Sequence, residues 1–309
     1  MASVRIDDDR RRALVAHLHR LGASERTDDP VEVTRSVLAL HATDPATVFL
    51  SVAARSDTAT VAGIEAAMYE TRSTVRVLGM RRTLFVVQPE LRPMIQVACT
   101  DKIAVTENRR LVKMMADSGV GGADPEAHLE AVKAAVLDAL RSGGPSLGRE
   151  LAEAVPELRE KVTAGSGSSA TEVGMTTVVL SRMAMDGTIM RGRPTGSWLS
   201  SQFTYELATP GVGSAGEPGG VEMSVADASA ELVERYLDGF GPATLEDCQW
   251  WTGWTKTQTR KALEQAGAEQ VDLDAGSGLV MPATLDLLDG LPAGGDGVAS
   301  VSYTHLRAH

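Results

Sequence analysis

The stretch VERYLDGFGPATLEDCQWWTGWTKTQTRKALEQAG, residues 233–267, decides the fold of this 309-residue chain. Its apolar periodicity and its Gly-Pro break predict one helix followed by a second helix from Thr244 to Trp251. Gly253 then marks a tight turn, and Thr255 is a capping residue type at the start of a helix from Lys256 to Gln265. Two helices joined by a short glycine turn form the helix-turn-helix arrangement, whose second helix enters the DNA major groove.

A second copy of this pattern lies earlier in the chain. The segment VLDALRSGGPSLGRELAEAV, which begins at Val136, aligns without a gap with VERYLDGFGPATLEDCQWWT, which begins at Val233. Gly144 then matches Gly241, and each copy continues into a second predicted helix. An internal repeat of this kind indicates that one supersecondary unit is used more than once.

A hairpin pattern follows the middle copy. The segment VGMTTVVLSRMAMDGTIMRGR, residues 173–193, predicts a long amphipathic helix that ends near Gly187. Thr188–Met190 then predicts a strand, Arg191–Arg193 a turn and Ser197–Leu199 a returning strand. A hairpin after a helix-turn-helix is a wing, and this one is rich in arginine.

The region before these copies is predicted to be mostly helical. Its predicted elements are helices at Asp8–Leu21, Pro30–Leu40, Val61–Tyr69 and Pro89–Val105 and a hairpin at Thr74–Val87. Glycine-rich linkers at 118–126 and 209–220 divide the chain into predicted units 1–117, 127–208 and 221–290. The predicted fold class is mainly α with small β wings, that is, tandem winged helix-turn-helix units of the α+β class.

The net charge tests this interpretation. A formal net charge of −11 is unfavourable for DNA binding, which depends largely on neutralising phosphates. The basic residues are clustered, however, in four groups: Arg72, Arg76, Arg81 and Arg82; Arg109, Arg110 and Lys113; Arg182, Arg191 and Arg193; Lys256, Arg260 and Lys261. This segregation is compatible with a basic groove on an acidic protein and also with ordinary solvated faces.

Several classes of protein are disfavoured by the composition. No apolar run approaches the ~18–20 residues of a membrane span. The N-terminus MASVRIDDDRRR has acidic residues where a signal peptide needs an apolar stretch. Cys99 and Cys248 lie in no metal-ligand spacing, and His17 and His19 have no third ligand nearby, so no metal site is expected. These features predict a cytoplasmic, nucleoid-associated protein with no membrane partner.

Four segments together resemble one known family: LALHATDPATVFLSVAAR (38–55), GMRRTLFVV (79–87), DGTIMRGRPTGSW (186–198) and YLDGFGPATLEDCQWWTGW (236–254). It is the bacterial family of winged-helix DNA glycosylases, AlkZ/YcaQ-like, which remove alkylated bases and unhook interstrand crosslinks. The resemblance covers residues 10–290. It implies three tandem winged-helix units around a DNA channel, followed by a C-terminal β-barrel.

The resemblance also locates a variant catalytic motif. Characterised members have Gln, an apolar residue, Gln and then Asp, where this chain has His41, Ala42, Thr43 and Asp44. Phe85 stands where relatives usually have His. A neutral His41 can orient a water and accept its proton, Thr43 can add one hydrogen bond, and Asp44 can stabilise positive charge on the sugar. Alternatively, His41 only packs, and Asp44-Pro45 caps the next helix.

The predicted function is excision of alkylated purines, or unhooking of crosslinks, in duplex DNA. The expected DNA contacts come from Arg76, Arg81, Arg82, Arg191, Arg193, Lys256, Gln258, Arg260 and Lys261. Hydrolysis uses only water, so neither a cofactor nor a metal is expected, and the protein is expected to be a monomer. The rival hypotheses are a non-catalytic, regulator-like DNA-binding protein and a protein-interaction array. The four tryptophans are interpreted as core residues rather than base-stacking residues.

The last residues break the pattern that precedes them. Val301–His309 can be back-translated as GTC TCT TAT ACA CAT CTC CGA GCC CAC, which is a transposon-derived sequencing adapter. Residues 300–309 are therefore expected to be non-native, and the C-terminal β-barrel of the family is expected to be missing from this chain.

Overall fold

The computed structural model describes residues 4–165, 167, 170–208 and 223–291. Helices predominate in this part of the chain, and short strands form small sheets, so the fold is mainly helical with an α+β character. Contacts divide the chain into two compact units, one made of residues 1–99 and 221–309 and the other of residues 100–220.

The helices of the described residues are, in chain order, α1 (Asp8–Leu18), α2 (Pro30–Ser36), α3 (Pro45–Ala53), α4 (Val61–Glu65), α5 (Arg92–Ile95), α6 (Asp101–Asp117), α7 (Pro125–Gly143), α8 (Gly148–Ala154), α9 (Met175–Met185), α10 (Val225–Phe240), α11 (Leu245–Thr252), α12 (Lys256–Ala266) and α13 (Pro282–Gly290). Wider π-helical turns extend α4 through Ala66–Glu70 and join α5 to α6 through Gln96–Thr100.

The strands are β1 (Arg5–Ile6), β2 (Leu40–His41), β3 (Val75–Leu78), β4 (Leu84–Val87), β5 (Ser146–Leu147), β6 (Lys161–Ala164), β7 (Thr171–Gly174), β8 (Ile189–Pro194), β9 (Phe203–Leu207), β10 (Glu269–Leu273) and β11 (Gly276–Val280). They form the sheets β2-β4-β3, β5-β9-β8 and β1-β10-β11 and the separate pair β6-β7.

One strand order occurs three times. In the first sheet, the short strand β2 pairs with β4, the second strand of the hairpin that follows it. In the second sheet, β5 pairs in the same way with β9. In the third, Ala243 forms an antiparallel bridge to Leu279 in β11. In each case, a short extended segment precedes a pair of helices and pairs with the last strand of the hairpin that follows them.

Side-chain caps explain where many of these helices begin. In eight described helices, the side chain of the N-cap residue accepts a hydrogen bond from a backbone N–H in the first turn. These N-cap residues are Asp7, Asp29, Asp44, Thr60, Asp124, Ser224, Thr244 and Thr255. Such a bond satisfies one of the N–H groups that lack a partner within the helix. The helix starts are therefore encoded locally, which is why the sequence predicts them well.

Each compact unit has its own apolar core. In the unit of residues 100–220, α6 to α9 and the β8-β9 hairpin enclose fully buried side chains such as Leu111, Val136, Leu158, Val179 and Ile189. In the other unit, one cluster joins α1, β1, β10, β11 and α13 through Ile6, Leu14, Val271, Val280 and Leu288. Fully burying one such aliphatic side chain contributes about 1.5–3 kcal/mol.

The third region agrees closely with its sequence prediction. Thr244 caps α11, and the Gly253 backbone is left-handed with φ = 77°. Thr255 caps α12, which ends at Ala266, one residue beyond the predicted end. The β10-β11 hairpin follows directly. The two-residue strand β1 pairs with β10 in parallel, and the sequence did not predict this pairing.

The middle region requires a correction of the predicted wing. Val173 and Gly174 belong to strand β7, so the helix begins only at Met175. Arg191 and Arg193 lie within strand β8 rather than in a turn, and the returning strand is 203–207 rather than 197–199. The hairpin itself is present. Its strands are longer than predicted because Pro194 still pairs with Phe203.

Boundaries in the first region also differ from the prediction. α1 ends at Leu18 rather than Leu21, and α2 ends at Ser36 rather than Leu40, because Leu40 pairs with Val86 in the sheet. The helix predicted for 89–105 continues through α6 to Asp117. Residues 300–309, predicted to be non-native, lie outside the described residues.

Candidate active site and DNA-binding surface

His41 lies at the end of strand β2 in the first region. It pairs with Phe85 in the antiparallel β2-β4 ladder. The Phe85 ring meets the imidazole edge to face, with centroids 5.6 Å apart and an angle of 85° between the planes. Phe85 is fully buried, whereas His41 is half-buried. The core therefore fixes the orientation of the imidazole without enclosing it.

Thr43 is the nearest hydrogen-bonding neighbour of His41. Its Oγ1 lies 3.3 Å from His41 Nε2, and the direction of this hydrogen bond depends on the imidazole tautomer. The backbone N–H of Leu84 donates to the same Oγ1 over 3.4 Å. A threonine hydroxyl has one proton and two lone pairs, so it can hold both bonds. Strand β4 thus positions both side chains of the motif.

Asp44 has two roles in the structure. Its Oδ1 accepts the backbone N–H of Ala46 over 2.9 Å and caps α3. This is the capping role described above as the alternative to catalysis. The carboxylate also acts on His41 through its charge. Capping and an electrostatic role at the site are therefore compatible.

The environment of His41 favours its neutral form. Burial lowers the pKa of His41 from its ordinary value of 6.5, and the positive charge of Arg81 lowers this pKa further. The negative charge of Asp44 opposes both effects. At neutral pH the imidazole is therefore unprotonated, as a proton acceptor must be.

Arg81 sits on the turn between β3 and β4, where Arg81 and Arg82 both have left-handed backbones with φ of 54° and 59°. Its Cζ lies 4.1 Å from the centroid of the Trp250 ring on α11. At Gly253, an added Cβ would lie 2.9 Å from Arg81 Cγ and 3.3 Å from Arg81 Cα. The first and third regions therefore meet at Arg81, within one compact unit.

The remaining expected DNA contacts fall into different surroundings. Arg76 is 9% exposed, and its Nη2 donates to the Tyr69 hydroxyl over 3.3 Å. In the other unit, Arg193 is exposed, and the Cζ of Arg191 stacks 4.3 Å from the centroid of the Phe203 ring.

Helix α12 has several exposed basic residues. Arg260 and Lys261 are exposed, and Gln258 is half-buried. Lys256 is exposed as well and pairs with Glu246 over 3.0 Å. A groove between α10 and α12 is lined by Gln265 of α12 and, on α10, by Arg235 and the acidic residues Asp227, Glu231, Glu234 and Asp238. Lys256, Arg260 and Lys261 are the exposed cations that α12 can offer to DNA.

Trp250 is the residue that sequence reasoning missed. The sequence predicts that all four tryptophans are core residues, and this holds for Trp251, which is 1% exposed and packs on Tyr236. Trp250 is half-buried and supports Arg81 instead. The signal in the sequence was the adjacent pair itself, because neighbouring residues on a helix point in different directions.

None of the helices that the structure describes is long and apolar enough to cross a bilayer. Among the described residues, no three His, Cys, Asp or Glu side chains are grouped so that they could hold a metal ion. Cys99 and Cys248 are both buried free thiols, and burial raises the pKa of each to about 12, so neither is a nucleophile at neutral pH.

Comparison with known proteins is consistent with this geometry. The family model described as "DNA glycosylase AlkZ-like" matches residues 34–298, and the chain belongs to that family of DNA-repair, DNA-binding proteins. A solved structure, Streptomyces sahachiroi DNA glycosylase AlkZ, is similar in fold with a TM-score of 0.67. It is 18% identical, and the match covers 94% of this chain and 74% of that one. No curated protein matches the sequence significantly.

Proposed function

We propose that the protein is a monofunctional DNA glycosylase that excises alkylated purines, or unhooks crosslinks, in duplex DNA. The observation that carries the proposal is the grouping of a half-buried, neutral His41 with Thr43, Asp44 and Arg81. The family membership supports a glycosylase-type reaction, and the site supplies groups suited to it.

The reaction needs little from the protein. An N7-alkylated purine carries positive charge, so its glycosidic electron pair leaves with the base, and the sugar becomes oxocarbenium-like. His41 and Thr43 hold a water whose oxygen bonds to C1′, and His41 accepts the proton that this water releases. The carboxylate of Asp44 stabilises the positive charge on the sugar. Base, sugar and proton are then all accounted for with no cofactor.

We also propose how the chain is divided into structural units. The strand order that occurs three times supports three tandem winged-helix units, at 1–117, 127–208 and 221–290. Arg81, Arg82, Arg191 and Arg193 would hold the DNA backbone. The exposed face of α12, with Gln258, Arg260 and Lys261, would contact the duplex through the third unit.

A second candidate function is a non-catalytic DNA-binding protein. The observation in its favour is the set of exposed basic residues on α12, which suits major-groove readout without any chemistry at His41. A protein-interaction array is the third possibility, and it predicts no DNA affinity.

One assay separates these functions. Full-length protein is incubated with duplex DNA containing N7-methylguanine, and free base is measured beside binding affinity. A glycosylase releases base, and His41→Ala lowers the rate by ~10²–10⁴-fold, the usual range for a general base. Sequence-preferring binding without base release from any variant supports the regulator. Absence of both supports the interaction array.

A further inference from the structure

Arg81 is confined more tightly than a surface arginine. The Trp250 ring covers one face of its guanidinium, and the turn at Gly253 lies against its side-chain stem. Its left-handed backbone, with φ = 54°, is costly for a residue with a Cβ. Strain of this kind persists where the surroundings impose it, and it concentrates at functional sites.

The Nε of Arg81 is buried and has no hydrogen-bond partner. Among the residues that the structure describes, no carboxylate forms an ion pair with Arg81. Arg81 lies in the turn that leads into strand β4, which pairs with the strand of His41, and its positive charge acts on His41. A stacked, planar guanidinium with free N–H groups is suited to binding an oxyanion such as phosphate.

We propose that Arg81, supported by Trp250 and Gly253, binds the DNA phosphate beside the reacting nucleotide and is a positioning residue that makes His41 a better proton acceptor when DNA is bound. The inference rests on the proposed function and extends it. In the DNA-free protein, the Arg81 charge opposes protonation of His41. A bound phosphate neutralises that charge, so Arg81 no longer opposes protonation of His41 when DNA is bound.

Few charged groups other than Arg81 act on the protonation of His41. The charged groups that act on His41 are Arg81, from the hairpin turn, and Asp44, from the start of α3. Phe85, on the paired strand, and Thr43 are uncharged. The helix-turn-helix of the third region thereby serves the site in the first region as a support for Arg81.

The test is the titration of the His41 ring, followed by NMR in the full-length protein. The probe is a duplex with a tetrahydrofuran abasic-site analogue, which has no base to release, so the readout is independent of glycosylase activity. In the wild type, the titration midpoint lies below 6.5 without DNA and rises when the duplex saturates the protein. A midpoint that does not rise in the wild type overturns the proposal.

Arg81→Gly is the main variant, because glycine adopts φ = 54° without strain and the fold is retained. Its midpoint without DNA is higher than that of the wild type, and it does not rise with the duplex. Arg81→Lys keeps the charge and partly restores the low midpoint. Arg12→Met, which removes an exposed charge on α1, leaves it unchanged. Identical midpoints for wild type and Arg81→Gly, or a rise that survives Arg81→Gly, contradict the inference.

Two glycine variants test whether the turn at Gly253 supports Arg81. Gly253→Ala and Gly267→Ala introduce the same left-handed strain, at φ of 77° and 74°, but nothing lies within 4 Å of a Cβ at Gly267. Gly253→Ala displaces Arg81 and changes the His41 midpoint, whereas Gly267→Ala does not. Equal midpoints in the two variants contradict a supporting role for the turn.

Discussion

At the scale of single residues, His41 and Phe85 fit one another, because the Phe85 ring packs edge to face on the imidazole. The side chains that act electrostatically on His41 are Arg81 and Asp44. The imidazole is therefore half-buried, oriented and neutral, as the proposed reaction requires.

Asp44 allows its two roles to be separated. Asn caps helices as well as Asp does, so Asp44→Asn should leave the free energy of unfolding unchanged, whereas Asp44→Ala should lower it by ~1 kcal/mol. Both variants should slow base release, because both remove the negative charge that is proposed to stabilise the sugar. Chemical denaturation and single-turnover kinetics measure the two effects. Base release by Asp44→Asn at the wild-type rate would leave the residue with a capping role alone.

Thr43 should matter less than His41. Thr43→Ala removes one neutral hydrogen bond to the imidazole, which contributes on the order of 1 kcal/mol, so base release should slow by roughly fivefold. Thr43→Ser keeps the hydroxyl and is the matched control. If Thr43→Ala slowed the reaction as much as His41→Ala, the assignment of the main role to His41 would be wrong.

At the scale of elements, the sequence predicted most where local chemistry decides. Thr244, Gly253 and Thr255 place α11, the turn and α12 to within one residue, because caps and a left-handed glycine act locally. The wing at 189–207 was misplaced because its register depends on cross-strand pairs such as Arg191 with Tyr205. The contact of Arg81 with Trp250 joins segments far apart in sequence, and no local pattern encodes it.

Helix α12 gives a prediction of its own. Arg260→Ala removes one of its exposed cations, so the slope of log K against log salt for duplex binding should become shallower by about 0.9. Arg12→Ala, on the exposed surface of α1, is the control and should leave the slope unchanged. Fluorescence anisotropy at several salt concentrations measures both. An unchanged slope for Arg260→Ala would remove α12 from the DNA interface.

At the scale of the whole molecule, the unit formed by the first and third regions contains a buried histidine that is independent of the site. His19 Nε2 bonds to the Gly239 carbonyl over 2.8 Å, and Arg55 Nε donates to the His19 carbonyl over 2.9 Å. Burial, with the charge of Arg55 as the second cause, lowers the pKa of His19 from 6.5 to about 3. His19 is therefore neutral in the folded protein.

This histidine should make folding sensitive to acid. Below pH 6.5 the unfolded chain protonates His19, while the folded protein does not until about pH 3, so the free energy of unfolding falls as pH falls through that range. The contribution is at most about 1.4 kcal/mol per pH unit. His19→Gln keeps an amide donor but does not titrate, so its slope between about pH 6 and pH 5 should be smaller by up to that amount. Equal slopes by urea denaturation would contradict the burial of His19 in its neutral form.

The measurement that tests the central claim most directly is the pH dependence of single-turnover base release by full-length protein on N7-methylguanine duplex DNA. Because His41 must be neutral, and because burial, the main cause of its low pKa, does not depend on the Arg81 charge, the wild-type rate should be constant near neutral pH and should fall at acidic pH. His41→Gln should retain partial activity with a flat profile, since an amide does not titrate there. A wild-type profile that His41→Gln reproduces, or wild-type protein that releases no base, would contradict the account.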